Sequence, residues 1–216
     1  MRQWTKCTMA LGLTIFMARA AQATPLNLTL PAFPDIFSGF IDATYQAGTQ
    51  AFQASGFALT LNDDGIGVQE NIDAGLFNLN ATINNTGVLQ NGLLTIGGTV
   101  PGFNSGTLLK GLLTAFGFRP TGGDPLEFLF TVTGGDLAGL YGGIGATGGV
   151  ILSEAGFGGS FGVNFDNTGG NPGFGAGVSD TGTGPVPEPS TILLLTTGLG
   201  IIVSRAILNR RSKASS

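Results

Sequence analysis

Residues 76–83 read LFNLNATI and residues 126–133 read LEFLFTVT, and in both stretches every second side chain is apolar. The apolar positions are Phe77, Leu79, Ala81 and Ile83 in the first stretch, and Leu126, Phe128, Phe130 and Val132 in the second. Between those of the first stretch lie polar residues, Asn78, Asn80 and Thr82. Side chains of a strand point alternately to its two faces, so a period of two predicts strands with one buried face.

Short apolar segments bounded by glycine continue this pattern along the chain. They predict further strands at residues 40–46, 51–61, 92–99, 107–118, 150–153 and 160–165. Residues 47–49 (AGT) would join the first two of these as a hairpin. Residues 62–65 (NDDG) would form a turn after the second, since Asn, Asp and Gly tolerate the backbone angles of tight turns. Residues 36–54 also fit one amphipathic helix, which Gly39 and Gly48 disfavour.

Glycine and phenylalanine dominate the same region. Of 38 glycines, 35 lie between residues 24 and 185, a density that favours turns and close backbone approaches over long helices. Fifteen of the 16 phenylalanines also follow residue 23. Phenylalanine has no polar group, so its abundance indicates a buried hydrophobic core. The predicted fold class is mostly β, a glycine-rich β-sandwich or jelly-roll-like ectodomain over residues 24–168. A β-solenoid is the alternative, but it should show a fixed-period repeat, and none is visible.

Several kinds of catalytic chemistry are excluded by composition. The chain has no histidine, and its single cysteine is Cys7, so neither a Ser-His-Asp triad nor a Cys-His pair can be built. Between Thr24 and Pro185 there are twelve acidic residues and only two basic ones, Lys110 and Arg119, for a net charge near −10. Such a field repels nucleic acid and anionic membrane surfaces. We therefore expect no nucleic-acid partner and no cofactor.

The densest group of acids is Asp63 and Asp64, with Glu70 and Asp73 nearby. Carboxylates on a glycine-containing loop can hold Ca²⁺, but this spacing matches neither the EF-hand loop nor the nonapeptide calcium repeat. Solvated turn residues are the favoured interpretation, so no metal site is predicted. A hydrolase that uses two carboxylates is a further alternative. Its glycan site would need aromatic stackers, yet the one tryptophan, Trp4, lies outside the ectodomain.

The first 23 residues have the three parts of a secretory signal in the required order. Arg2 and Lys6 give a positive start, the apolar run TMALGLTIFMA spans residues 8–18, and Ala21 and Ala23 fit the small-x-small rule for signal peptidase. We expect an N-terminal signal helix, export through the Sec machinery and cleavage after Ala23.

Residues 169–185 (GGNPGFGAGVSDTGTGP) have few apolar side chains, and their composition predicts a flexible linker. A distinct C-terminal tail follows. It begins with Val186, Pro187, Glu188, Pro189 and Ser190. Residues 191–204 carry no charge, and a snorkelling Arg205 extends the apolar segment to residue 208, long enough for a thin bilayer. Arg210 and Arg211 should stay cytoplasmic by the positive-inside rule, with residues 212–216 as a cytoplasmic tail.

This tail resembles the PEP-CTERM sorting signal of Gram-negative bacteria, in which a Pro-Glu-Pro motif precedes a short transmembrane helix and an arginine-rich end. The match covers residues 186–211, and Arg205 departs from the family's uninterrupted apolar run. The resemblance implies that an exosortase, a multi-pass membrane enzyme, recognises the tail and cuts near Pro187–Pro189. Parts of residues 106–161 also look like ectodomains that recur in this class and have no assigned activity.

Together these features predict an exported, non-enzymatic protein. The resemblance implies transient residence in the inner membrane, then delivery to the cell surface or the exopolysaccharide matrix of a biofilm, with exopolysaccharide as a candidate ligand. The alternatives are a calcium-dependent carbohydrate-binding adhesin and a secreted carboxylate-dependent hydrolase. No catalytic residue is assigned.

Overall fold

The structure is a computed structural model that describes residues 24–66, 68–168 and 175–184. Ten strands and one 3₁₀ turn make up its regular structure. The strands are β1 (Asp35–Gln46), β2 (Ala51–Asn62), β3 (Glu70–Asn71), β4 (Asp73–Ile83), β5 (Leu89–Thr99), β6 (Gly106–Gly117), β7 (Leu126–Gly134), β8 (Thr147–Ser153), β9 (Phe165–Asp166) and β10 (Gly177–Thr183), and the 3₁₀ turn is Asp136–Gly139. The prediction of a mostly β fold is confirmed.

The strands form one antiparallel sheet that closes on itself. The order is β2-β4-β5-β6-β7-β8-β10-β1, and β1 pairs with β2 as well as with β10, which completes an eight-stranded barrel. The short strands β3 and β9 extend the sheet beside β2 and β1. The expected sandwich or jelly roll is therefore replaced by a single closed sheet. Both architectures bury one face of every strand, so alternation in the sequence does not distinguish them.

The strand predictions hold over most of the barrel. The four apolar side chains of residues 76–83 that alternate with polar ones are all buried, as are Leu126, Phe128, Phe130 and Val132 of β7. Residues 36–54 form the β1–β2 hairpin and not a helix. After β2, the Gly65 N–H donates to Asn62 Oδ1 at 3.1 Å, and Gly65 has a φ of 71°, a conformation that suits glycine.

Two sequence predictions are corrected. Residues 177–183, assigned to a linker over 169–185, form β10, which pairs with both β1 and β8. The ectodomain therefore extends beyond residue 168. The composition of this segment does not predict a strand, because its inward residues are small: Gly177, Ser179 and Thr181. Its position is set by backbone hydrogen bonds to β1 and β8. The strand predicted at 160–165 shrinks to β9, and Phe161 lies in the turn before it.

Aromatic rings fill one half of the barrel interior. Phe116, Phe118, Phe128, Phe157, Phe161 and Phe165 pack with Tyr45 and Phe52 at centroid distances such as 4.8 Å for Phe116–Phe128 and 4.9 Å for Phe157–Phe161. Toward the other side, Phe130 packs near Tyr141. Edge-on and tilted ring pairs of this kind add stability beyond the area that they bury. This part of the interior is a packed core, so the candidate sites below lie on the outer surface.

Within the residues that the structure describes, no helix has the length and apolar character needed to span a membrane. The predicted signal segment with Ala21 and Ala23, the sorting motif at residues 186–190, the apolar segment at 191–208 and the arginines Arg205, Arg210 and Arg211 lie outside the described residues.

Candidate functional site

The outer face of β2, β4, β5 and β6 carries amide and hydroxyl side chains in rows that run across the strands. One row is formed by the cross-strand neighbours Gln53, Asn80, Leu93 and Leu112. A second is Ser55, Asn78, Thr95 and Lys110, and a third is Ala51, Thr82 and Asn91. We call these eleven residues the amide face. Neighbouring strands are about 4.8 Å apart and successive rows about 6.7 Å, so the polar groups form a regular grid.

A shallow groove of about 420 Å³ lies on this face. It is lined chiefly by members of the first and third rows, including Gln53, Asn80, Asn91 and the Leu93–Leu112 pair. Leu93 and Leu112 are 42% and 54% exposed, so they add an open apolar strip beside the amides. The volume is within the range of ligand sites, about 300–1,000 Å³.

The side chains of the amide face have unused hydrogen-bonding capacity. Thr82 Oγ1 and Asn91 Oδ1 are 3.2 Å apart, the one side-chain hydrogen bond within the face. The amide groups of Gln53, Asn78 and Asn80 have no hydrogen-bond partner among the described residues. Each amide offers both a carbonyl acceptor and two N–H donors to a ligand.

The amide face is also nearly uncharged, in contrast to the rest of the barrel. Lys110 is its only ionisable residue. The nearest carboxylate by register is Asp42, opposite Ser55, and Asp42 already accepts a hydrogen bond from the Gly175 N–H. The face can therefore bind a polar, uncharged ligand without burying an unpaired carboxylate.

A second feature is the N-terminal strap, residues 24–30, which crosses the outside of β6, β7 and β8. The buried carboxylate of Glu127 accepts hydrogen bonds from the Leu26 N–H at 2.7 Å and the Asn27 N–H at 3.0 Å through Oε2, and from the Leu28 N–H at 2.8 Å through Oε1. The strap approaches closely because Gly117 lies beneath it, where a Cβ atom would be 2.6 Å from the Leu26 nitrogen. Glu127 therefore holds the strap on the barrel.

A third feature is a pair of carboxylates on the outer side of the β1–β10 seam. Burial, and secondarily the charge of Asp180, raise the pKa of Asp35 from its ordinary 3.8 to about 6. Burial also raises the pKa of Asp180. On the inner side, the Tyr141 hydroxyl donates to the Thr181 carbonyl at 2.6 Å. Burial raises the pKa of the Tyr141 hydroxyl well above its ordinary value of 10.

A raised carboxyl pKa is typical of general acids. However, neither Asp35 nor Asp180 lines the amide-face groove or either of two smaller grooves, which lie beside the strap and beside Phe161. Neither carboxylate therefore borders any of the three grooves described here.

The acidic turn does not assemble into a metal site. Asp63 and Asp64 lie after β2, Glu70 lies on β3, and Asp73 begins β4. In the described parts of the chain, no three or more carboxylates come together in a way that could hold an ion. The Asp64 carboxylate instead accepts the Ile66 N–H at 2.8 Å, a turn-stabilising role.

Sequence reasoning found part of the amide face and missed Glu127. The alternation in residues 76–83 placed Asn78, Asn80 and Thr82 on the outer face of their strand, but their neighbours on β2, β5 and β6 depend on the register. Glu127 occupies a polar position in an alternating strand, and its burial comes from a strap about 100 residues away in sequence.

Comparison with known proteins gives no relative for this chain: no family model, no curated protein and no solved structure matches it.

Proposed function

We propose that this chain is an exported, non-enzymatic protein whose C-terminal signal directs it to an exosortase, and then to the cell surface or the exopolysaccharide matrix. Signal peptidase and the Sec machinery would act first, at an N-terminal signal helix ending near Ala23. A transmembrane helix near residues 191–208 would then hold the chain in the inner membrane until the tail is cut.

One observation carries the proposal: the barrel fills the interval between the two targeting segments. The strap is bonded to the barrel from Leu26, three residues after the proposed cleavage site at Ala23, and β10 ends at Thr183, three residues before the motif at Val186. Cleavage at either site would therefore leave every strand of the barrel in place. A protein that is processed at both ends needs this arrangement, because loss of β10 would open the sheet between β8 and β1.

The short distance from the barrel to the motif constrains the processing step. Two residues, Pro185 and Val186, separate Gly184 from Pro187, and the three Cα–Cα steps of a fully extended chain cover at most about 11 Å. Two prolines in the motif favour an extended backbone, which suits entry into a protease site. The sorting enzyme must therefore cut close to the end of the folded domain.

The test is to replace Pro187, Glu188 and Pro189 by alanine and follow processing in a host that contains an exosortase. Wild-type protein should be released without its tail, and the triple variant should stay membrane-bound at full length. Pro185→Ala, a proline change just outside the motif, is the matched control and should be processed normally. Release of the triple variant at the wild-type rate would refute the sorting role.

The two alternatives find less support. A calcium-dependent adhesin would need the acidic turn to gather several carboxylates, which the described residues do not do. A hydrolase would need its two carboxylates in a cleft, and Asp35 and Asp180 lie outside the grooves described above. A calcium-induced rise in Tm would favour the adhesin, and turnover on a glycan panel that Asp35→Asn abolishes would favour the hydrolase.

A further inference from the structure

We propose that the amide face binds an uncharged polysaccharide chain, without calcium. This inference does not depend on the route of export, because it rests on the outer surface of β2, β4, β5 and β6 alone.

The hydrogen-bonding chemistry of the face matches that of a sugar. The hydroxyl groups of a sugar both donate and accept, and they are paired most completely by side chains that do the same. Gln53, Asn78 and Asn80 are such groups, and their amides are free of partners among the described residues. Asn91 and Thr82, which belong to the third row, lie at one edge of the groove.

The apolar part of the face lies beside these amides, at the β5–β6 end of the first row. Leu93 and Leu112 are directly opposite each other on β5 and β6, and both are about half exposed. A sugar ring has an apolar C–H surface as well as hydroxyls at its edges. A ring seated on the Leu93–Leu112 pair would therefore place its hydroxyls near Asn80 and Asn91, which line the same groove.

Charge selects a neutral ligand over an acidic one. The ectodomain carries a net charge near −10, which repels polyanions at long range. On the face itself only Lys110 could pair with an anion, and it lies in the row outside the groove. With no carboxylate among the eleven residues, calcium has no ligand there beyond neutral oxygens, so binding should not need it.

The extended shape of the groove favours a chain over a single sugar. The lining runs across four adjacent strands, from Gln53 on β2 to Leu112 on β6. Three strand spacings amount to about 14 Å, which is longer than one sugar ring. Several weak contacts along this length would add up in a polymer and leave a monosaccharide weakly bound.

The experiment is affinity electrophoresis of the full chain in native gels that contain dextran, mannan, galactomannan or alginate. The chain is purified in a detergent without a sugar headgroup, and each mobility is divided by that of the same protein in a polysaccharide-free gel. We expect retardation by at least one neutral polymer, no retardation by alginate, and no change when calcium is replaced by a chelator.

The variants are Gln53→Glu and Asn80→Asp, which keep side-chain shape but remove N–H donors and add negative charge. Each should weaken retardation roughly tenfold, as expected for the loss of one or two hydrogen bonds. Gln69→Glu, the same chemical change at an exposed position outside the face, controls for net charge and should bind as wild type does. Because all three sites are at the surface, the variants should fold.

Three results would overturn the inference. The first is no retardation by any neutral polymer, and the second is equal retardation of wild type and the Gln53→Glu/Asn80→Asp double variant. The third is concentration-dependent dimerisation in sedimentation velocity that Asn80→Asp abolishes and polysaccharide does not affect, which would assign the face to self-association.

Discussion

The strap gives the most quantitative prediction, through substitution of Glu127 by glutamine. In the structure one oxygen of Glu127 accepts two backbone N–H groups, of Leu26 and Asn27, and the other accepts that of Leu28. A glutamine can serve the first pair with its carbonyl oxygen, but its NH₂ group then faces the Leu28 N–H. The substitution therefore leaves one donor unsatisfied and removes the charge from the other two bonds.

The size of the effect follows from these three bonds. The Leu28 N–H is only partly buried, so leaving it unpaired costs about 1 kcal/mol, the low end for an orphaned donor, and the loss of charge assistance costs about 1 kcal/mol for each of the two remaining bonds. The expected loss is about 3 kcal/mol, close to a factor of 100 in the equilibrium for releasing the strap. Because the strap lies outside the barrel, the loss of stability cannot exceed the free energy with which the strap docks on the barrel. The core should therefore stay folded.

Hydrogen exchange measures this effect residue by residue. We expect the protection factors of the Leu26, Asn27 and Leu28 amides to fall about 100-fold in Glu127→Gln, while amides of β7 and β8 keep theirs. Glu154→Gln, the same change at an exposed carboxylate, should leave all of them unchanged. Unchanged protection of the three strap amides in Glu127→Gln would show that the carboxylate does not hold the strap.

Four further substitutions, one of them a control, test the core and the β1–β10 seam. Phe128→Ala, which empties a fully buried ring site, should cost about 3–5 kcal/mol in urea unfolding. Gly148→Ala should cost about 2–3 kcal/mol because its Cβ would be 2.1 Å from the ring of Phe130, whereas Gly134→Ala, where nothing lies within 4 Å, should change stability by less than about 1 kcal/mol. Because the folded-state pKa of Asp35 is raised to about 6, wild type should lose stability as pH rises from 4 to 6. The shift corresponds to at most about 3 kcal/mol, which solvent screening at this half-buried site reduces to about 1 kcal/mol. Asp35→Asn should remove that part of the slope, and identical slopes for the two proteins in urea unfolding at pH 4, 5, 6 and 7 would contradict it.

The strands could be predicted from sequence wherever large apolar residues alternate with polar ones. Residues 76–83 and 126–133 have this pattern and form the parts of β4 and β7 that face the core. β10 has the opposite character, since its inward positions are Gly177, Ser179 and Thr181. Its pairing comes from backbone groups, which every sequence has, and so its composition resembled a linker.

The closure of the sheet and the composition of the candidate site could not be predicted from sequence, for a different reason. A sandwich and a barrel bury the same alternate residues, and the pairing of β1 with both β2 and β10 is a long-range choice. For the same reason, sequence placed Asn78, Asn80 and Thr82 on one face but could not bring Gln53 and Leu112 beside them. The burial of Glu127 likewise depends on the strap.

The most direct test of the central proposal, export followed by removal of the tail, is the intact mass with terminal peptides of the protein recovered from the medium and surface of its native host. We predict a product that begins near Thr24 and ends between Pro187 and Pro189, with the whole barrel retained. A product that still carries Arg210 and Arg211 and fractionates with membranes would contradict the proposal and indicate a permanently anchored protein.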